Sequence, residues 1–263
     1  MISIITCSIH PEMCREMLDS VSQTIGVEFE SIVFDNREKH WGLCKVYNHC
    51  AAQAKYPYLC FLHEDVLLTT PDWGKIMTDF VQKTQNCGII GFAGGRIVPR
   101  FFISWYSSFH ACSVSYRFRY HDGSVYYSGN QTTWAKVVAL DGLFLFCEKQ
   151  VWSNCPFDEQ TFTGFHLYDA DFCFSAAQKY QNYVCMCVDI IHKSRGNNDR
   201  DFYDFVFAFQ KKWKRKTPVY MQRVNRLKRL EFEVREMLRT YDDYKKLGIP
   251  LFERYRRIIK VIM

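Results

Sequence analysis

Along residues 1–95 the apolar positions form short unbroken runs, separated by stretches in which they recur every three or four residues. Unbroken runs read as buried strands, and the recurring spacing reads as helices with one apolar face. ISIITCSI (2–9) predicts a strand, Met13, Met17, Leu18 and Val21 predict a helix, and EFESIVFDN predicts a second strand ending in a turn at Asp35 and Asn36. A helix over about 43–54, a strand in YPYLCFL that stops at His63-Glu64-Asp65, a helix from Asp72 to about Thr84 and a strand in CGIIGFAG continue the series. Strands alternating with helices favour a mostly parallel, Rossmann-like sheet with helices on both faces. In such sheets ligands bind outside the carboxyl ends of the strands, which is where this chain places polar residues.

The pattern changes over 96–134, which is rich in aromatic and β-forming residues and carries the hairpin signal Asp122-Gly123. It predicts an inserted antiparallel element. VVALDGLFLFC then reads as a strand interrupted by Asp141-Gly142, and a carboxylate inside so apolar a run needs a partner or a purpose. Beyond Phe157 a loop leads to Asp169 and Asp171, followed by a helix over 172–179, a strand in YVCMCVDII and His192. After Pro218 the apolar residues Val224, Leu227, Leu230, Val234, Leu238 and Tyr241 keep helical spacing.

With 48% hydrophobic and 24% charged residues in 263, the chain is not a disordered or low-complexity sequence. It has the length for one large α/β domain with an appendage. No run of about 18 apolar residues occurs, and the N-terminus lacks a signal-peptide layout, so a cytoplasmic protein is expected. The 12 cysteines form no CxxC pair and sit mostly in apolar stretches, as reduced buried thiols do. Strand alternation would point Cys185 and Cys187 to one face. The net charge of +6 is unevenly divided: residues 211–263 carry 17 Lys/Arg against 6 Asp/Glu, leaving 1–210 net negative. This predicts a domain at 1–210 and a basic amphipathic helical extension at 211–263.

Asp65 after the third strand, Asp169 before the late helix and His192 after YVCMCVDII can meet at one sheet edge. Carboxylate oxygens with an imidazole suit Mg2+ or Mn2+ better than a structural zinc. Singly, Asp65 is better explained by a helix or turn cap and His192 by a surface loop; together, in this order, they favour a metal–diphosphate site.

Eight segments carry a further signal: ISIITCS, VFDN, WGLCKVYNHCAAQA, FLHEDV, DGLFLFCEKQVW, FDE, FHLYDADFCFSAAQ and IIHKSRG. In this order over residues 1 to about 200 the chain resembles a family 2-type glycosyltransferase of the GT-A fold, in the nucleotide-diphospho-sugar transferase superfamily. FLHEDV stands where that family has its DxD metal motif, with His63 in place of the first Asp. FHLYDADF stands at the family's acidic pair, with Tyr168 preceding Asp169.

The resemblance implies an inverting, metal-dependent transferase that moves a sugar from a nucleotide-sugar, UDP by preference, to a glycan or lipid-linked glycan acceptor. It implies Mn2+ or Mg2+ on Asp65 and His192, with Lys193 and Arg195 beside the diphosphate. Asp169 is the implied base, with Asp171 as the alternative. Thr6, Cys7, Ser8, Asp35, Asn36, Lys45, Asn48 and Glu64 are implied at the nucleotide. Asp35 serves equally as an Asx-turn residue, and Lys45 and Asn48 as solvated surface. Asp141 and Gly142 are implied near the donor or acceptor sugar, although a buried carboxylate at a bend reads as well.

The basic extension suits an anionic membrane surface on the cytoplasmic side; docking on the domain or pairing with a second copy in a homo-oligomer explains its apolar stripe equally. The acidic main domain argues against nucleic acid. Two other functions compete with transfer: a non-catalytic GT-A-like binding or assembly module, favoured by His63, and a sugar nucleotidyltransferase, disfavoured because no Gly-rich phosphate loop follows the first strand.

Overall fold

The computed structural model describes residues 1–107, 114–120, 124–128, 133–194 and 199–263. Asp122-Gly123 and Arg195 lie outside them. The elements run β1 (Ile2–Ser8), α1 (Pro11–Thr24), β2 (Phe29–Asp35), α2 (Leu43–Gln53), β3 (Tyr58–Leu62), β4 (Val66–Leu68), α3 (Trp73–Lys83), β5 (Cys87–Gly91), β6 (Ala93–Gly95) and β7 (Ile97–Val98). They continue with β8 (Val114–Tyr120), β9 (Val125–Ser128), β10 (Trp134–Val137), β11 (Ala139–Leu140), β12 (Phe144–Glu148), α4 (Lys149–Asn154) and α5 (Tyr168–Ala176). The last are β13 (Gln181–Cys185), β14 (Ile190–His192), α6 (Arg200–Trp213), β15 (Val219–Tyr220), α7 (Arg226–Lys246) and α8 (Leu251–Ile262).

The main sheet has the order β10-β13-β5-β12-β3-β1-β2. Pairings of β1 with β2 and β3, and of β13 with β5, are parallel, whereas β12 and β10 run against their neighbours. Every residue of β3 and β5 is buried. Strands with no exposed face are covered on both sides, which is why their sequences are unbroken apolar runs. Strand β2 lies at the edge, and its residues alternate between half-buried and exposed.

A second sheet, β11-β6-β8-β14-β4 with β9 on β8, stands at the site end of the first. The antiparallel β8–β9 pair lies in the aromatic insertion, and β8 also pairs antiparallel with β6, just before it. The stretch expected as one strand, YVCMCVDII, divides between the two sheets. It leaves the first at Cys185, bends, and is caught again where Thr70 Oγ1 accepts the Asp189 amide at 2.8 Å and the Thr69 amide donates to the Asp189 carbonyl at 3.1 Å. Cys187 therefore lies in the bend, with its Sγ 3.5 Å from that of Cys185. None of the described cysteines forms a disulfide.

Helix α6 runs across position 210/211, where the extension was expected to begin. Helix α7 buries Phe232, Glu236, Thr240 and Tyr244, and Tyr244 and Ile249 belong to the main core cluster. Polar contacts fix it further: the Arg100 amide donates to Glu233 at 2.9 Å and Tyr203 donates to Asp243 at 2.7 Å, while Arg257 of α8 pairs with Asp204 of α6 at 2.7 Å. Among the described residues no helix is long and apolar enough to cross a membrane.

Candidate functional site

Two strand ladders build the site. β14 pairs antiparallel with β4, His192 opposite Val66, and the Lys193 amide donates to the Asp65 carbonyl at 3.0 Å. That register sets His192 beside Asp65, with His192 Nε2 3.4 Å from Asp65 Oδ2. β12 pairs with β3, Phe144 opposite Leu62, and the His63 amide donates to the Leu143 carbonyl at 3.1 Å. His63 thus lies beside the Asp141-Gly142-Leu143 bend.

His63, Asp65 and His192 each offer one ligand atom, all within 4.8 Å of one another. Burial alone would raise the Asp65 pKa, but the His192 hydrogen bond and the His63 and His192 imidazoles outweigh it and hold the carboxyl well below its usual range. Burial holds His63 below its ordinary value; for His192 burial is overcome by its bond to Asp65, and its pKa is raised. An ionised carboxylate between two imidazoles is a donor set that fits a divalent cation.

These three residues open onto a cleft of about 810 Å³ also lined by Cys7, Asn36, Glu64, Asp141, Gly142, Asp169 and Lys193. Asp169 lies in the first turn of α5, not in a loop before it. The helix starts early because Leu167 takes a left-handed conformation (φ 59°) and turns the chain directly into Tyr168. Burial first, and then the Asp141 carboxylate, push the Asp169 pKa up to about 7, against hydrogen bonds from the Ala170, Asp169 and Gly142 amides. Asp141 is itself held as an acceptor: Trp105 Nε1 donates to it at 2.7 Å and the Leu143 amide at 3.0 Å.

The other expected residues divide by what occupies them. Glu64 reaches the cleft, but its carboxylate accepts from Ser8 Oγ (2.6 Å) and the amides of Ile9 (3.1 Å) and His10 (3.0 Å), tying down the turn between β1 and α1. Asn36 folds the following loop, donating to the Trp41 carbonyl and accepting from its amide. Lys193 pairs with Glu16. Thr6, Ser8, Asp35, Lys45, Asn48 and Asp171 are not among the lining residues. Thr6 is fully buried, and Asp35 pairs with Arg37. Lys45 sits 3.9 Å over the Trp41 ring, while Asn48 bonds Trp152 Nε1 and the backbone of Phe157. Asp171 is buried on the other side of its helix, accepting from Lys212 Nζ at 2.8 Å and Trp213 Nε1 at 2.7 Å.

Trp41, His63 as a member of the cluster, Trp105 and Tyr168 line the cleft but are not singled out as site groups by the sequence. His63 and Tyr168 were visible only as departures from a family pattern. Trp105 was one aromatic in a segment full of them.

A comparison with curated proteins returns no match. Among solved structures, residues 1–349 of TarS from S. aureus in complex with UDP-GlcNAc are 14% identical with a TM-score of 0.60, over 99% of this chain and 79% of that one. GalNAc-T7 with UDP, GalNAc and Mn2+ is 11% identical with a TM-score of 0.56, over 81% of this chain and 49% of that one. The mannosyltransferase PcManGT from Pyrobaculum calidifontis, in complex with GDP-Man and Mn2+, is 10% identical with a TM-score of 0.51, over 94% and 72%. These likenesses show the GT-A fold. The sequence profile of the Glycosyltransferase like family matches residues 3–213, ending where α6 ends. The chain belongs to the Glycosyltransferase like family.

Proposed function

We propose that this glycosyltransferase moves a sugar from a nucleoside-diphosphate donor to an acceptor hydroxyl in one displacement, with inversion at the anomeric carbon. The observation that carries the reading is that Asp169, a carboxyl with its pKa raised to about 7, shares one cleft with the His63, Asp65 and His192 cluster. A base for a sugar hydroxyl works best with a pKa near the working pH, and such proton removal contributes about two to four orders of magnitude. Asp169 takes the hydroxyl proton while the oxygen attacks the anomeric carbon, and the bond from that carbon to the diphosphate breaks. Asp141 beside Asp169 keeps the proton affinity high enough for that transfer.

Asp65, His63 and His192 would hold the divalent cation. When bound, such a cation offsets the charge that grows on the departing diphosphate. Mn2+ is the favoured ion, because two imidazoles are poor ligands for Mg2+. Lys193 lines the cleft beside His192 and would exchange Glu16 for the diphosphate when the donor binds. The nucleoside would lie along Cys7, Asn36 and Trp41, which line the same cleft. UDP is the favoured nucleotide: two of the structures that share the fold hold UDP or UDP-GlcNAc, although PcManGT holds GDP-Man.

A donor screen across UDP-, GDP- and dTDP-sugars, with and without Mn2+, tests the reading. Release of nucleoside diphosphate that depends on both Mn2+ and an acceptor supports it. Donor binding without turnover in every combination would favour a binding module instead.

For the acceptor we propose a lipid-linked glycan at an anionic membrane surface. Helix α8 docks through Val261 and Arg257 while exposing Leu251, Phe252, Tyr255, Ile259 and Ile262 on one face, with Arg256 and Lys260 exposed alongside. An apolar face bordered by cations is the pattern of a helix lying in a membrane interface.

A further inference from the structure

The two positions at which this chain departs from the family's acidic pattern, His63 and Tyr168, are hydrogen-bonded to each other: His63 Nε2 lies 2.6 Å from Tyr168 Oη. The same hydroxyl lies 3.2 Å from the Gly142 carbonyl oxygen. Tyr168 is buried, and a phenol has one proton to give. A carbonyl can only accept. If the phenol proton goes to Gly142, the hydroxyl oxygen accepts from His63, so His63 carries its proton on Nε2. The opposite arrangement, with the phenol donating to Nε2, sets two oxygens 3.2 Å apart with no proton between them in a buried place, which is unfavourable.

With Nε2 protonated, Nδ1 is the lone-pair atom, and Nδ1 is the one that faces Asp65, 4.0 Å from its Oδ1. Position 142 has to be glycine for the relay to close. A Cβ there would lie 2.1 Å from Tyr168 Oη and 2.9 Å from Asp169 Cβ.

We propose that the relay Gly142 carbonyl, Tyr168 hydroxyl, His63 imidazole makes His63 a metal ligand through Nδ1, completing a two-imidazole, one-carboxylate set that takes Mn2+ in preference to Mg2+. Tyr168 is a positioning residue that acts through His63. Loss of an outer partner that orients a ligating histidine costs about tenfold to hundredfold in metal affinity.

The proposal rests on the reading of His63, Asp65 and His192 as a cation site, and Asp65→Ala tests that reading separately. Mn2+ alone is titrated into the full chain and followed by loss of its free electron paramagnetic resonance signal, with Mg2+ as competitor. We expect Asp65→Ala to abolish binding, Tyr168→Phe to weaken it about tenfold to hundredfold, and His63→Ala to weaken it at least as much. In the His63→Ala background Tyr168→Phe should change nothing further, because the tyrosine then has no imidazole to orient. Nitrogen-15 NMR of His63 should show the Nε2–H tautomer in the wild type and a mixture in Tyr168→Phe, a signature that a merely structural tyrosine would not move. His63→Asp should restore binding but narrow the preference for Mn2+ over Mg2+. Unchanged Mn2+ binding in Asp65→Ala overturns the site and the relay together. Abolished binding in Asp65→Ala alongside wild-type affinity in Tyr168→Phe, or additive losses in the double variant, overturns the relay alone.

Discussion

Asp169 and Asp171 stand two residues apart in the first turn of α5, yet Asp169 lines the cleft beside Asp141 whereas Asp171 lies behind the helix on Lys212 and Trp213. Side chains separated by two positions on a helix point in nearly opposite directions, so one turn supplies a cleft-facing carboxyl and an anchor. The anchor matters to the cleft-facing group, because Lys212 and Trp213 belong to the end of α6 and hold the start of α5 in place.

The two carboxyls should therefore separate cleanly on mutation. Asp169→Asn should lower kcat by about two orders of magnitude or more, with donor binding unchanged. Asp171→Ala should leave Trp213 Nε1 without its acceptor and cost about 1–3 kcal/mol of stability; Lys212 keeps Asp158 as a partner, 2.7 Å away. Steady-state kinetics and urea unfolding on both variants decide the matter. Loss of turnover in the Asp171 variant at full stability, with Asp169→Asn active, would reverse the assignment.

The raised pKa of Asp169 also sets a pH dependence. A base that ionises at about 7 makes kcat/KM rise with pH up to that point and level off above it. The Asp141 carboxylate contributes to that shift, so Asp141→Asn should move the rising limb to lower pH. For stability the sign is opposite. A carboxyl whose pKa is raised on folding stabilises the fold at low pH, and this contribution is lost as pH rises from about 4 through 7. Asp169→Asn should accordingly unfold at a higher temperature than the wild type at pH 8, despite its lost activity. Equal melting at pH 8, or a rising limb that stays in place in Asp141→Asn, would remove the burial-and-repulsion account.

The alternation of strands and helices was legible because strands buried on both faces must be apolar throughout, and β3 and β5 are. The polar residues at strand ends were legible for the complementary reason: they follow such runs abruptly, as His63-Glu64-Asp65 follows Leu62. What periodicity does not carry is register and rotation. The left-handed Leu167 starts α5 one turn earlier than its apolar pattern suggests, and this decides which of two aspartates faces the cleft. The crossing of YVCMCVDII from one sheet to the other depends on Thr69 and Thr70, over a hundred residues away, catching Asp189. Trp105 reaches Asp141 across 36 residues, a contact with no local signal.

Glu64 gives a test of the difference between touching the nucleotide and shaping its site. Its carboxylate accepts from Ser8 and from the Ile9 and His10 amides, in the turn between β1 and α1. Glu64→Gln presents an amide N–H2 to donors that need an acceptor. Stability should fall by about 1–3 kcal/mol, and UDP affinity should fall with it as the turn loosens. Denaturant midpoints and UDP calorimetry measure both; weaker UDP binding at unchanged stability would show instead that Glu64 contacts the nucleotide directly.

The membrane reading turns on α8, and truncation after Gln210 does not test it. That cut falls inside α6, removes Lys212 and Trp213 from Asp171, and strips Tyr244 and Ile249 from the core. Surface substitutions avoid this damage. Phe252 is 80% exposed and Ile259 50% exposed, so changing both to Ser should leave the fold intact. Arg256 and Lys260 lie on the exposed side of the same helix, and each cation near an anionic surface is worth about 1 kcal/mol. Wild-type protein should sediment with phosphatidylserine-containing liposomes, less so as salt screens the charges, and not with neutral ones. The Phe252→Ser, Ile259→Ser variant should lose most of this binding, and Arg256→Glu with Lys260→Glu should lose its salt-sensitive part. A wild type that ignores anionic liposomes but forms dimers, which the serine variant breaks, would assign the face to a second copy of the chain and leave the acceptor unconnected to a membrane.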